Sequence, residues 1–148
     1  MEKNTMPKEI ALMLMSHGNF AKAAIESAEL IVGKQTNFDT LSVFTVDNVA
    51  HLKQELQEKI DALDTQSGII FLTDILGGTP MNLASHLLTK ENILVCCGLN
   101  LPLLLDVLMN RDLPFDEMKS LIKNAYQNGL TIRDFNDLQK QEDEDDLL

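Results

Sequence analysis

The sequence predicts an α/β protein with a doubly wound, mostly parallel sheet and helices on both faces. Short apolar runs of strand length alternate with longer segments in which apolar residues recur at helical spacing. Two of these runs, at 10–15 and 68–73, are almost entirely apolar, which is typical of parallel strands covered on both faces. This alternation of strands and helices indicates an α/β fold, and right-handed crossovers restrict its topology.

In the first half of the chain we predict, in order, a strand at 10–15, a helix at 20–32, a strand at 40–46 and a helix at 49–63. The first helix keeps its aliphatic residues on one stripe, and Gly33 follows it, where helices often end. The second strand is rich in β-branched residues and alternates in polarity, which indicates a less buried position. Asp47 and Asn48 are good caps for the second helix.

In the second half we predict, in order, a strand at 68–73, a loop at 74–80, a helix at 81–88, a strand at 92–97, a turn at 98–102, helices at 103–110 and 115–128, and a short last strand at 130–135. We assume the strand order 2-1-3-4, which makes strands one and three neighbours at the point where the winding of the sheet reverses. Their carboxyl ends carry His17 and Asp74, so this order would bring the two side chains together.

Length and charge limit the domain organisation and the class of partner. A chain of 148 residues suits one domain, which we place at 1–138. The segment 139–148 is strongly acidic and is predicted to be a disordered tail. A net charge of −11 argues against nucleic-acid binding, which needs clustered lysine and arginine. No apolar stretch approaches the roughly 18 residues of a membrane span, and no signal-peptide pattern is seen, so we expect a cytoplasmic protein without direct membrane insertion.

The cysteines and two of the histidines give no sign of a metal or cofactor site. Cys96 and Cys97 are adjacent, and we interpret them as small core residues in a reducing compartment, with a redox pair as the alternative. His51 and His86 lie on helical segments without partners at ligand spacing, so we expect surface residues and no metal. The chain has neither a Walker A loop nor a dinucleotide fingerprint, and no cofactor is expected.

The third histidine is a candidate nucleophile. His17 follows a buried strand and lies between Ser16 and Gly18. A neutral imidazole, with an ordinary pKa of about 6.5, can attack phosphorus, although a packing or capping role is the alternative. Asp74 ends the neighbouring strand and could hold one ring nitrogen, as the aspartate of a Ser-His-Asp triad does. Its alternative is a loop carboxylate bonded to its own backbone.

A glycine-rich segment follows Asp74. Gly77 and Gly78 allow a tight turn, Thr79 is expected to cap the next helix, and Pro80 suits its first position. Such a helix start presents free N–H groups and the positive end of the helix dipole to an anion. An ordinary strand-to-helix turn is the alternative.

Three motifs in order, at matching spacing, resemble a known family. They read Ser-His-Gly at 16–18, Phe-Leu-Thr-Asp-Ile-Leu-Gly-Gly-Thr-Pro-Met-Asn at 71–82 and Gly-Leu-Asn-Leu-Pro at 98–102. From about Ile10 to Phe135 the chain resembles the IIA (EIIA) domain of the mannose-type branch of the bacterial sugar phosphotransferase system (PTS). This branch includes mannose, fructose, sorbose and N-acetylgalactosamine systems.

The resemblance implies a phosphocarrier and assigns roles within the motifs. Phosphoryl would pass from the phosphocarrier protein HPr to Nε2 of His17, then to a cognate and separate EIIB protein, and so to a sugar at the membrane subunits EIIC and EIID. Asp74 would orient the imidazole, and Gly77, Gly78 and Thr79 would bind the phosphate. The remaining motif residues are candidates to support the site without holding the phosphate, namely Ser16, Gly18, Asn82 and Asn100.

The resemblance also implies a homodimer in which a C-terminal antiparallel edge strand, here 130–135, exchanges between subunits. Where some members have Trp in the second motif this chain has Leu76, and where some have Ser it has Thr79, which keeps the hydroxyl. Three alternatives stay open: a regulatory EIIA-like domain, the phosphoryl donor of dihydroxyacetone kinase, and a small-molecule enzyme on the same scaffold.

Overall fold

Four parallel strands form one sheet in the order β2-β1-β3-β4 in a computed structural model that describes residues 8–146 and the side chains of residues 8–142. The strands are β1 (Ala11–His17), β2 (Phe38–Val43), β3 (Ile69–Thr73) and β4 (Ile93–Cys97). The helices are α1 (Phe20–Val32), α2 (Val49–Asp61), α3 (Gly78–Ser85), α4 (Leu101–Leu108), α5 (Met118–Asn128) and α6 (Phe135–Asp146), and a short 3₁₀ helix (Phe115–Glu117) precedes α5. The predicted fold class and strand order are confirmed.

Alternate residues of the strands point to two separate cores, and each core has its own helices. Leu12 and Leu14 of β1 face α1, α4 and α5. Met13 and Met15 of the same strand face α2 and α3. β1 lies inside the sheet and has no exposed side chain before His17, which explains its unbroken apolar run. β2 lies at one edge, and its mixed burial agrees with its alternating sequence.

The adjacent cysteines point to these opposite sides of the sheet. Cys96 packs against the core of α1, α4 and α5, and both thiols are free and half-buried. Burial and the neighbouring Cys97 raise the pKa of Cys96 to about 11, so this thiol is protonated at neutral pH.

The C-terminal region differs from the prediction. Residues 130–134 form no strand, and α6 begins at Phe135. A strand needs a neighbouring strand to satisfy its backbone groups, and within one chain this segment pairs with none. The predicted antiparallel edge strand is therefore absent from the described part of the single chain.

The acidic segment also differs, because α6 continues to Asp146 where disorder was predicted. The start of α6 explains why it forms. The Asp134 carboxylate accepts a hydrogen bond from the N–H of Asp137 (2.9 Å), and the Asp137 carboxylate accepts one from the N–H of Asp134 (3.2 Å). This reciprocal pair is a capping box, which favours a helix start. Leu147 and Leu148 of the predicted tail lie outside the described residues.

None of the helices within residues 8–146 has the length and hydrophobicity of a transmembrane span.

A buried arginine that no sequence motif indicated joins the amino ends of β1 and β2. Arg111 is only 2 % exposed. Its guanidinium donates hydrogen bonds to the carbonyls of Ile10 (2.9 Å), Thr36 (2.7 Å) and Asn37 (2.7 Å). Nη1 also lies 3.4 Å from Oε2 of Glu9. The planar group has enough donors to satisfy all of these acceptors at once, which a lysine could not do.

We predict that Arg111→Met lowers the free energy of unfolding by about 3 kcal/mol, because three carbonyls lose a charged donor. Urea denaturation would measure the loss. Lys8→Met is the control, since Lys8 forms an exposed ion pair with Asp64 (3.3 Å) and its loss should change the free energy of unfolding far less. Equal losses in the two variants would contradict the role given to Arg111.

Candidate functional site

The carboxyl ends of β1 and β3 bring His17 and Asp74 together. The two strands are neighbours in the sheet, with Met15 paired to Thr73. Nδ1 of His17 lies 2.8 Å from Oδ2 of Asp74, and the backbone N–H of His17 donates to the same oxygen at 2.9 Å. The other carboxylate oxygen accepts a hydrogen bond from the N–H of Ile75 (2.9 Å). The aspartate therefore holds both the ring and the backbone of the histidine.

These hydrogen bonds favour the ionised form of Asp74. Partial burial disfavours the ionised carboxylate, but the backbone N–H and ring of His17 and the N–H of Ile75 outweigh it, and the pKa of Asp74 lies below its usual value. Because Asp74 is ionised at neutral pH, it accepts from Nδ1–H and leaves Nε2 as the free nitrogen. The His17 side chain is 49 % exposed and that of Asp74 only 15 %, so the ring is open to a reactant and its anchor is sheltered.

The turn after His17 is held by backbone contacts that the sequence does not reveal. Gly18 has φ +58° and donates its N–H to the carbonyl of Val43 at 2.8 Å. Ser16 is fully buried, accepts from the N–H of Ala21 (2.8 Å) and donates to the carbonyl of Gly18 (3.1 Å). Val43 contributes a main-chain atom, so no residue pattern would have identified it. Only the pairing of β1 with β2 places it there.

The glycine-rich segment reaches the ring of His17 at its Nε2 edge. A Cβ atom on Gly78 would lie 3.0 Å from Cε1 and 3.2 Å from Nε2 of His17. Gly77 and Gly78 have φ values of +77° and +81°, a conformation that glycine adopts without strain. The main chain at the start of α3 therefore lies so close to the imidazole that only glycine fits at position 78 without a shift of the ring.

The start of α3 differs from the prediction. Gly77 occupies the cap position and Gly78 is the first helical residue, so Thr79 is second and Pro80 third. Proline is tolerated there because the first-turn N–H groups have no partner within the helix. Met81 Sδ accepts a hydrogen bond from the N–H of Gly77 (3.0 Å), and the cap residue of α3 makes no side-chain cap hydrogen bond. The helix still opens beside His17, and its N-terminus favours an anion.

A cleft of about 560 Å³ lies beside the histidine. His17, Gly18 and Thr79 line one side of it, and the segment from β2 to α2 lines the other. Thr79, although it does not cap α3, therefore faces the same space as the imidazole.

Two further predicted residues, Asn82 and Asn100, form no hydrogen bond with the ring among the described residues. Asn82 lies exposed on α3. Asn100 caps α4, where its side chain accepts from the N–H of Leu103 (2.9 Å) and donates to the carbonyl of Gly98 (3.1 Å). The N–H of Gly98 bonds to the carbonyls of Thr73 and Asp74, so Asn100 supports the end of β3 indirectly. His51 and His86 are exposed, and no group of three His, Cys, Asp or Glu side chains in the described chain could hold a metal ion.

The fold and site define an α/β protein with an exposed histidine that a carboxylate orients beside a helix N-terminus. The family model EIIA-man, described as the PTS system fructose IIA component, matches residues 11–126. The chain belongs to this mannose-type EIIA family of the sugar phosphotransferase system.

Individual relatives and a solved structure support the same family membership. The chain is 33 % identical over 124 residues to the PTS system mannose-specific EIIAB component of Escherichia coli (strain K12). This match covers 82 % of the chain but only 38 % of that relative's length. It is 30 % identical over 125 residues to the PTS system fructose-specific EIIA component of Bacillus subtilis (strain 168), covering 83 % and 86 % of the two chains. A crystal structure of the PTS IIA protein associated with the fucose utilization operon of Streptococcus pneumoniae superposes with a TM-score of 0.77 at 29 % identity. The superposition covers 93 % of this chain and 98 % of that protein.

We predict that Gly78→Ala shields Nε2 of His17 and slows its modification by diethyl pyrocarbonate about tenfold. The added methyl would lie against the ring, and the positive φ would cost about 1 kcal/mol of stability. Gly33→Ala is the matched control, since Gly33 has φ +91° and its Cβ would meet nothing within 4 Å. Peptide mapping by mass spectrometry separates His17 from the other histidines. Equal His17 reactivity in the two variants would show that Gly78 does not limit access to the ring.

Proposed function

We propose that the protein is a cytoplasmic phosphocarrier that accepts a phosphoryl group from phosphorylated HPr on Nε2 of His17 and passes it to a cognate EIIB protein. The observation that carries this proposal is the 2.8 Å contact between Nδ1 of His17 and Asp74, which leaves Nε2 free on the side of Gly78. Family membership supports the same role. The membrane subunits EIIC and EIID would take part only through EIIB.

The transfer follows from the charges of the site. The Nε2 lone pair of His17 attacks the phosphorus of the donor's phosphohistidine, and the donor's N–P bond breaks with its electron pair returning to the donor imidazole. The His17 ring gains positive charge in this step, and the ionised Asp74 stabilises it through Nδ1–H. The main-chain N–H groups at the start of α3 and the Thr79 hydroxyl would receive the phosphate oxygens. Transfer to EIIB is the same displacement with the roles exchanged.

The surface around His17 favours a protein rather than a small molecule as the phosphoryl donor. Four large apolar side chains are exposed on the segments that surround the histidine, namely Phe20, Phe44, Ile75 and Leu76. Grouped apolar side chains on a surface indicate a protein interface. They lie on three different loops or loop ends, so a partner that covered them would also cover the imidazole.

We also propose that the protein forms a homodimer through exchange of the segment 130–135. Leu130 and Ile132 are 73 % and 78 % exposed in the single chain, and burial against a second copy would remove this apolar surface from water. The β2 edge is protected, because Thr40 donates its N–H to Asp39 (2.8 Å) and its carbonyl accepts from Lys59 (2.8 Å). β4 is the opposite edge strand and is therefore the edge at which we place the exchanged segment.

We predict that HPr, its kinase and phosphoenolpyruvate together label the wild-type protein with one acid-labile, base-stable phosphate, and that His17→Ala takes none. Asp74→Asn should slow labelling about 100-fold, because the ring loses its orienting carboxylate. His51→Ala is the control, since His51 is an exposed histidine on α2, and it should label normally. Full labelling of His17→Ala, or none of the wild type, would refute the proposal.

We predict that the wild type elutes as a dimer in size-exclusion chromatography with light scattering and that Ile132→Asp shifts it to monomer. A buried, unpaired carboxylate is unfavourable in an interface. Leu30→Asp, at an exposed apolar position on α1, should leave the dimer intact. A monomeric wild type at micromolar concentration would rule out the exchanged dimer without affecting the proposed phosphotransfer.

A further inference from the structure

Two buried hydroxyl groups lie directly before the two residues of the candidate site. Ser16 precedes His17 at the end of β1, and Thr73 precedes Asp74 at the end of β3, and both are 0 % exposed. A buried hydroxyl is unfavourable unless it is hydrogen-bonded, and both of these are. Their hydrogen-bond partners lie on different elements. Thr73 donates to the carbonyl of Cys96 on β4 (3.4 Å), away from the histidine.

The Ser16 hydroxyl bonds to the turn on the far side of His17. It donates to the carbonyl of Gly18 (3.1 Å) and accepts from the N–H of Ala21 (2.8 Å), which belongs to the first turn of α1. Asn19 occupies the cap position of α1, but its side chain makes no cap hydrogen bond and instead accepts from the hydroxyl of Ser42 (3.1 Å). Ser16 therefore caps α1 in place of Asn19.

These bonds hold the main chain of His17 from both sides. Its own N–H donates to Asp74 (2.9 Å), and the next N–H, that of Gly18, donates to Val43 (2.8 Å). The Gly18 carbonyl is held by Ser16. The position of the imidazole depends on that of its Cα atom, so the Nδ1–Asp74 contact depends on the turn that Ser16 closes.

We propose that Ser16 is a positioning residue for His17. It joins the end of β1, the Gly18 turn and the start of α1 into one rigid unit, and that unit sets the imidazole at hydrogen-bond distance from Asp74. The effect on transfer rate rests on the phosphocarrier function proposed above, whereas the effect on the imidazole does not.

The test compares Ser16→Ala with Ser16→Thr, which keeps the hydroxyl, and with Thr73→Val, which removes a hydroxyl of equal burial whose bond leads away from the site. The first measurement is ¹⁵N and ¹H NMR of the unphosphorylated His17 ring. We expect the Nδ1–H resonance, shifted downfield by Asp74 in the wild type, to move upfield and broaden in Ser16→Ala, and to stay unchanged in Ser16→Thr and Thr73→Val.

The second measurement is the rate of phosphorylation by phosphoramidate, a small phosphoryl donor, and by phosphorylated HPr. We expect the maximal rate with either donor to fall about tenfold in Ser16→Ala. The half-saturating concentration of phosphorylated HPr should change less than the maximal rate, because the exposed Phe44, Ile75 and Leu76 lie on segments to which Ser16 does not bond. Thermal unfolding identifies the folded variants. Should Ser16→Ala not fold, Ser16→Cys makes the same comparison, since a thiol is a weaker donor and acceptor.

The outcomes separate the two proposals. A wild-type ring signal and wild-type rates in folded Ser16→Ala would overturn the role of Ser16, as would an equal change in Thr73→Val. A wild type that takes no phosphoryl group from either donor would overturn the phosphocarrier proposal, and the NMR comparison would still decide the role of Ser16.

Discussion

The contact between His17 and Asp74 depends on the parallel pairing of β1 with β3. Parallel neighbours end at the same edge of the sheet, so two residues 57 positions apart in sequence come within 2.8 Å. The carboxylate bonds to both the backbone and the ring of the histidine, and this double contact ties ring orientation to sheet geometry. A shift in the register of these strands would therefore displace the imidazole as well as the core.

One edge of the His17 imidazole is held by Asp74, and the other edge is open to a reactant. Asp74 is mostly buried and is ionised at neutral pH, and it accepts a hydrogen bond from Nδ1–H. At the opposite edge of the ring, near Nε2, the neighbour is the main chain of Gly78, which carries no side chain. A site of this kind favours an anion beside Nε2, since the N–H groups at the start of a helix stabilise one there.

Most elements could be predicted because their signals are local. Unbroken apolar runs indicated the inner strands β1 and β3, and helical spacing located α1 within the bounds that the structure shows. The start of α3 was missed because two successive glycines at positive φ moved the cap to Gly77, and no local rule favours that over a cap by Thr79. α6 was missed because overall acidity suggested disorder, although the Asp134–Asp137 capping box was visible in the residues.

The sequence by itself determined the layers of the fold, the edge on which functional groups gather and the candidate pair His17 and Asp74, because periodicity and strand ends are short-range properties. Only the tertiary structure decided that Gly78 meets Nε2, that Val43 receives the Gly18 N–H and that Arg111 satisfies three carbonyls of distant segments. The physical reason is that these contacts use main-chain atoms or residues far apart in sequence. A main-chain carbonyl has the same chemistry at every position, and only the packing of strands and loops selects which one a donor meets.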